Sequence, residues 1–283
     1  MKPNHQTALC VLDKEGNTLR YSPGTMPIYS IAKTLIAHAI LTTEVDLDTS
    51  IHTWIDPGLC PHPVTVSQLL NHTSGLSDYG ALPAYQDAID AGIPWSDVEF
   101  ARHTLQQPLL FEPGTHFAYS NPGYFLLKSI LEAVTDHAFP EIMQTLIFEP
   151  FEMASARVAR GQFATDLAWY PAEWVWHGLV LSDPADVARF MARLPHRYGS
   201  NNVRVEHAFL PWRNPHYGNG LMIEPDSHYG HNGNGPGYSA SCMHFIHTGI
   251  TGCVIQQTSG DEQDSDLALT TLLAIMADLG VAL

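Results

Sequence analysis

The chain carries only four lysines, Lys2, Lys14, Lys33 and Lys128. One of them, Lys33, follows Ser30 by three residues in the apolar stretch MPIYSIAKTLIAHAI. If Ser30 opens a helix, the i, i+3 spacing puts hydroxyl and amine on one face, with Cβ atoms roughly 5–6 Å apart. A serine hydroxyl is a weak nucleophile until a neighbour takes its proton. A lysine can take it once burial or a nearby cation favours the neutral amine. The helix N-terminus adds positive potential that favours negative charge developing on Ser30. The plain alternative is that Ser30 caps the helix and Lys33 snorkels to water. An S-x-x-K tetrapeptide arises by chance about once in a chain of this length, so the pair needs further partners.

Two other stretches offer them. In FEPGTHFAYSNPGYFLL, Tyr119-Ser120-Asn121 lies between a Pro-Gly turn and a helix. A tyrosine hydroxyl held near an ammonium has a lowered pKa and relays protons. Asn121 can donate to a substrate carbonyl or orient the lysine. The alternative makes Tyr119 core and Asn121 a helix cap, and a second Y-x-N at Tyr217 to Asn219 shows how little the tripeptide says alone. In SHYGHNGNGPGYSA, His231-Asn232-Gly233 ends a strand and enters a glycine-rich turn. Glycine there lets a ligand approach the backbone closely. The next backbone N–H, of Asn234, can complete an oxyanion hole with that of Ser30. A simple hairpin turn is the alternative.

These residues must be positioned by the elements around them. Gln6 to Asp13 and Thr18 to Ser22 read as strands around a Lys-Glu-Gly-Asn turn. Helical text runs from Ser30 to about Leu41. From about Thr42 to His216 the chain is mostly helix and loop, with clearer helices at Val66 to Leu70, Gly123 to Val134, Phe139 to Ile147 and Pro184 to Leu194. Strand text returns at Ser227 to Asn232, Ser239 to His247 and Gly252 to Gln257, and Asp264 to Leu279 closes as an amphipathic helix. The fold class expected is α+β: a largely antiparallel five-stranded sheet drawn from both chain ends, flanked by helices. Residues 1–45 and 217–283 would form the sheet lobe, 46–216 a mostly helical insert, with the site between them.

Composition bounds the partners. A formal net charge of -16 disfavours nucleic acid and anionic membrane. No run approaches eighteen apolar residues, so no membrane span is expected. The start MKPNHQTALCVLDKEG lacks the apolar core of a signal peptide, which makes the cytoplasm the expected compartment. Four cysteines in a chain this long are no disulfide framework. Sixteen histidines invite a metal, but there is no HExxH, and His244 and His247 fall on opposite faces of a strand. Neither metal nor cofactor is expected.

Taken in order, the three motifs resemble those of the serine β-lactamase and penicillin-binding-protein superfamily, in the branch of class C β-lactamases, D-alanyl-D-alanine carboxypeptidases and related esterases. VTVSQLLNHTSGL, FEPGTHFAYSNPGYFLL, IFEPFEM, HGLVLSDPADVARFM and GHNGNGPGYSA all resemble text of that branch, and the likeness runs from about Ile28 to Gln257. The resemblance implies a β-lactamase/transpeptidase-like fold and acyl transfer through a covalent intermediate. Ser30 would be the acylated nucleophile, Lys33 and Tyr119 the proton-relay pair, Asn121 a contact to the substrate amide, and His231, Gly233 and Asn234 the substrate-binding strand edge. His231 and Asn232 stand where β-lactamases have the Lys-Thr of Lys-Thr-Gly, so a permanent cation for a substrate carboxylate is missing. A small ester, amide, β-lactam or D-amino-acid derivative is the expected substrate, with the first, second and last favoured. A non-catalytic ligand-binding homologue of penicillin-binding proteins is the alternative.

Overall fold

The computed structural model describes residues 6–80, 82–161, 170–194, 201–206, 212–258 and 266–281. Strands β1 (Thr7–Leu12) and β2 (Thr18–Ser22) form the expected hairpin, turned where the Asp13 carboxylate accepts from the backbone of Glu15 and Asn17. A short β3 (Met26–Pro27) leads to a 3-10 turn at Tyr29–Ile31 and helix α1 (Ala32–Thr42). Every residue of α1 from Ala32 to Ile40 is buried. An element enclosed on all sides needs no polar stripe, which is why its apolar spacing is blurred in the sequence.

The middle of the chain supplies α2 (Val66–Leu70), α3 (Pro83–Ala91), α4 (Asp97–His103), α5 (Asn121–Thr135) and α6 (Phe139–Met143). Then follow β4 (Arg157–Val158), β5 (Val180–Ser182) and α7 (Pro184–Ala192). The last part holds β6 (Asn202–Arg204), β7 (His216–Gly218), β8 (Leu221–Glu224), β9 (His228–Gly235), β10 (Tyr238–Phe245), β11 (Ile250–Gln257) and α8 (Leu267–Asp278). The expected start of the last helix at Asp264 and Ser265 lies outside the described residues, as does the start of the chain through His5.

The main sheet is antiparallel with strand order β2-β1-β11-β10-β9-β8-β7-β6. It joins both chain ends, as expected, but has eight strands rather than five. The extra ones, β6 to β8, are three or four residues long, too short for a period-2 pattern to show. A three-stranded sheet, β3-β5-β4, sits apart. Alternation along the strands separates two cores. Val11, Met243 and Val254 pack with α8, while Cys10, Cys242 and Cys253 face the side of α1 and α7. The four cysteines are free and buried, and burial pushes the Cys10 thiol up to about 12. Among the described residues, no helix is long and apolar enough to cross a membrane, and no group of three or more His, Cys, Asp or Glu is placed to hold a metal ion.

The strand that the sequence read as ending at Asn232 continues to Gly235. The turn falls at Pro236-Gly237, with Gly237 at φ +75°. The glycines before it are therefore not turn residues. Their positions in β9 matter for the site.

Candidate active site

Ser30 occupies the middle of the 3-10 turn ahead of α1, and neither turn nor helix has a side-chain cap. The capping alternative therefore fails. The residue before it, Tyr29, has φ +42°, a left-handed conformation that costs a residue with a Cβ on the order of 1–3 kcal/mol. The surroundings enforce it. The Tyr29 hydroxyl donates to the Pro236 carbonyl at 2.7 Å, and the Ile28 N–H donates to the Val180 carbonyl at 3.0 Å. The Ser30 turn is thus clamped between the end of β9 and strand β5.

Lys33 does not snorkel, because it is 0% exposed. Its Nζ donates to Asn121 Oδ1 at 2.6 Å and Ser30 Oγ at 3.1 Å, and lies 3.4 Å from His177 Nε2. The Tyr119 and Tyr124 ring centroids are 5.1 and 5.6 Å from the same nitrogen. Among the described residues it makes no ion pair. Burial pulls its pKa down to about 7, with the more distant Asp78 charge working the other way. A substantial share of the amine is therefore neutral at physiological pH.

Tyr119 lies near enough to Ser30 and Lys33 to act on both. Its pKa moves opposite to the expectation. Burial pushes it above the ordinary tyrosine range, only partly eased by the Ser30 hydroxyl nearby, and Asp78 adds to the rise. The phenol stays protonated near neutral pH, a donor rather than a base. The helix cap here is Ser120, whose Oγ accepts from the Gly123 N–H at 3.3 Å. Asn121 is left free to turn its Oδ1 to Lys33. Asp78 holds it there, accepting from Asn121 N at 2.9 Å and Nδ2 at 3.2 Å. Ser120→Ala should lower stability by about 1 kcal/mol, read as a lower denaturant midpoint at unchanged slope.

The third motif approaches from β9. His231 is 0% exposed, with Nε2 3.0 Å from the Tyr217 hydroxyl and Nδ1 2.5 Å from the Asn232 carbonyl. Burial, then the Lys33 charge, lower its pKa to about 3. It is neutral and enclosed, not an open edge residue. Asn234 turns its side chain to Ser239, accepting from Oγ at 2.9 Å, so only its backbone is on offer at the strand edge. Gly233 explains the close approach: a Cβ there would stand 2.2 Å from the Ile28 carbonyl oxygen and 3.1 Å from the Ser30 nitrogen. At Gly235 it would stand 2.3 Å from the Tyr29 ring. Residues 233 and 235 share a strand face, and both face the Ser30 turn.

The structure thus brings together Ser30, Lys33, Tyr119, Asn121 and the Gly233-Asn234 backbone, and withdraws the His231 side chain. Sequence reasoning missed Asp78, His177 and His72. His72 Nδ1 accepts from the Ser120 N–H at 3.2 Å, and its ring lies 4.3 Å from that of Tyr119. All three lie in or beside stretches singled out in the sequence, but nothing in their spacing marks them. Tyr217, part of the second Y-x-N, reaches the site from β7 through His231.

A serine turn before a buried lysine-bearing helix, packed against an antiparallel sheet edge and a tyrosine-asparagine segment, is the arrangement of the penicillin-binding and β-lactamase type of protein. The family model described as Beta-lactamase matches residues 7–275, and the chain belongs to that family. Penicillin-binding protein 4* of Bacillus subtilis (strain 168) is 26% identical over 259 residues, covering 77% of this chain and 57% of that protein. The D-aminopeptidase of Brucella anthropi is 28% identical over 136 residues, covering 47% of this chain and 26% of that protein. The chain therefore spans well under two thirds of either relative's length. Among solved structures, the D-amino acid amidase from Ochrobactrum anthropi SV3 superposes with a TM-score of 0.77 at 22% identity, covering 98% of this chain and 95% of that one. That likeness is one of fold.

Proposed function

We propose that the protein is a serine hydrolase that works through a Ser30 acyl-enzyme on a small ester, amide or D-amino-acid derivative. The observation that carries this reading is the 3.1 Å contact between Ser30 Oγ and a fully buried Lys33 whose pKa lies at about 7. The site lies where α1 and β9 meet the mostly helical middle of the chain that carries Asp78, Tyr119 and Asn121; β6 and the start of β7, expected in the 46–216 insert, pair in the main sheet instead. Ser30 Oγ attacks the substrate carbonyl as its proton passes to Lys33 Nζ. The backbone N–H groups of Ser30 and Asn234 hold the oxyanion. Collapse of the intermediate breaks the bond to the leaving group, which takes the proton from the Lys33 ammonium, while the protonated Tyr119 hydroxyl donates a hydrogen bond beside Ser30. Water then attacks the acyl-enzyme, giving one proton to Lys33. The Ser30–acyl bond breaks and Ser30 recovers its proton.

The preference for a substrate without a carboxylate at this edge rests on His231. With both nitrogens engaged and its pKa held near 3, it offers no positive charge to a carboxylate. The names of the relatives, a D-aminopeptidase and a D-amino acid amidase, favour an amide or a peptide end. A net charge of -16 speaks against nucleic acid as a partner, and four free cysteines fit a reducing compartment such as the cytoplasm.

The test is intact mass after exposure to a fluorophosphonate, a p-nitrophenyl ester, a D-amino-acid p-nitroanilide and a penicillin, on wild type and Ser30→Ala. A fluorophosphonate adduct on wild type alone is expected, with ester or anilide turnover that Ser30→Ala loses, and with penicillin reacting slowest. Folded wild type that neither labels nor turns over any of these reagents would overturn the reading in favour of a ligand-binding homologue.

A further inference from the structure

His177 is a polar residue of this site whose role neither the motifs nor the mechanism has used, and it is the one in reach of the Lys33 amine. It is 3% exposed, lies just ahead of β5, and faces Lys33 Nζ with Nε2 at 3.4 Å. Its Nδ1 is buried without a partner of full hydrogen-bond geometry, although the Tyr29 backbone acts on the ring. A histidine enclosed this way is costly to keep. The geometry around Lys33 gives the reason.

We propose that His177 is a positioning residue for Lys33: with Asn121 it fixes two of the amine's N–H bonds, so that the third position always points at Ser30. A neutral amine has two N–H donors and one lone pair, and an ammonium has three donors. Asn121 Oδ1 at 2.6 Å and His177 Nε2 at 3.4 Å are acceptors in both states. The remaining position meets Ser30 Oγ at 3.1 Å. In the neutral state it is a lone pair receiving the serine proton. In the charged state it is the N–H that returns the proton. His177 must then be the neutral tautomer with its proton on Nδ1, since an ammonium offers no lone pair to an Nε2–H. Burial and the Lys33 charge both hold the imidazole well below its ordinary pKa, in agreement with a neutral ring. No proton needs to move onto His177, and the amine does not have to rotate between the two halves of the reaction. The inference rests on the hydrolase reading for its purpose, but not for its geometry.

The groups acting on Lys33 besides His177 come from every surrounding segment. They are His72 and Asp78 from the loop after α2, Tyr119 and Tyr124 beside and within α5, and His231 from β9. Each remains in place when His177 alone is changed. With only four lysines in the chain, 13C-ε lysine labelling resolves the Lys33 titration by NMR without any substrate. His177→Leu is expected to lower the Lys33 midpoint by about one pH unit, because an acceptor for the ammonium is lost in an already dry site. His177→Gln, which keeps an acceptor, is expected to restore most of it and to carry the test should the leucine variant not fold. In ester kinetics, His177→Leu should lower kcat by roughly 10–100-fold with KM nearly unchanged. His177→Gln should recover most of that loss. An unmoved Lys33 midpoint in His177→Leu would overturn the proposal, and so would a glutamine variant indistinguishable from a folded leucine variant. Wild type without Ser30-dependent turnover defeats the hydrolase reading instead, and the titration still decides the role of His177.

Discussion

Lys33→Met is expected to lower kcat/KM for a neutral p-nitrophenyl ester by about 10³-fold, within the range of general acid–base catalysis. The wild-type pH profile carries the same argument. A folded-state pKa of about 7 means that the neutral amine grows in as pH rises through that value. The wild-type kcat/KM should therefore climb through about pH 7, and Lys33→Met should lack that limb. Tyr119 does not supply it, because burial moves its titration upward, away from neutrality. Stability gives an independent check of sign. Between about 7 and the ordinary lysine value of 10.5, the unfolded chain binds a proton that the folded chain does not. Stability attributable to this group thus rises with pH across that window, and Lys33→Met removes the slope. A methionine variant retaining more than roughly a tenth of wild-type activity would remove Lys33 from the base role, since general acid–base catalysis starts near 10².

The core of this site was legible because its spacing carries chemistry that packing does not need. A lone lysine three residues after a serine inside an apolar run is unexplained by burial, and burial is what the structure shows for it. The order of Ser30, Tyr119 and His231 along the chain narrows the fold to one superfamily, and the sheet joining both chain ends is legible separately, in the strand text near the two ends of the chain. What was not legible depends on long-range contacts. Asp78 meets Asn121, and His177 meets Lys33, only after segments 43 and 144 residues apart come together. Before that they are ordinary polar residues in plausible loops. His231 was misjudged for a related reason. Its place in the motif suggested an open strand edge, but Tyr217, on a three-residue strand too short to read, covers it and takes its Nε2. Asn121 was offered as a cap because asparagine favours that position. Ser120, one residue earlier, has the extended backbone of an N-cap and takes the role.

Gly233 shows why the same tripeptide reads differently in sequence and in space. Glycine next to asparagine before Pro-Gly suggests a turn, yet Gly233 lies inside β9 with ordinary strand pairing to Ala240. Its missing side chain is needed because the Ser30 turn crosses β9 at backbone contact. A methyl group there meets the Ile28 carbonyl oxygen at 2.2 Å. The obstacle is main chain, pinned by the Ile28 N–H bond to Val180, and cannot yield as a flexible side chain would. Gly233→Ala must therefore push the Ser30 turn off the strand edge that carries the Asn234 N–H. The expected result is a loss of about 10² in Ser30 acylation rate, the scale of an ångström-sized misplacement. The accompanying stability cost should be about 1–3 kcal/mol, as for an overpacked core. The fold itself should survive, since β9 keeps its ladder with β10. Fluorophosphonate labelling rates and denaturant midpoints of wild type and variant measure the two effects separately. An alanine variant that labels at the wild-type rate would mean that the turn and the strand edge need not stay in register. The oxyanion hole would then have to be sought elsewhere than at Asn234.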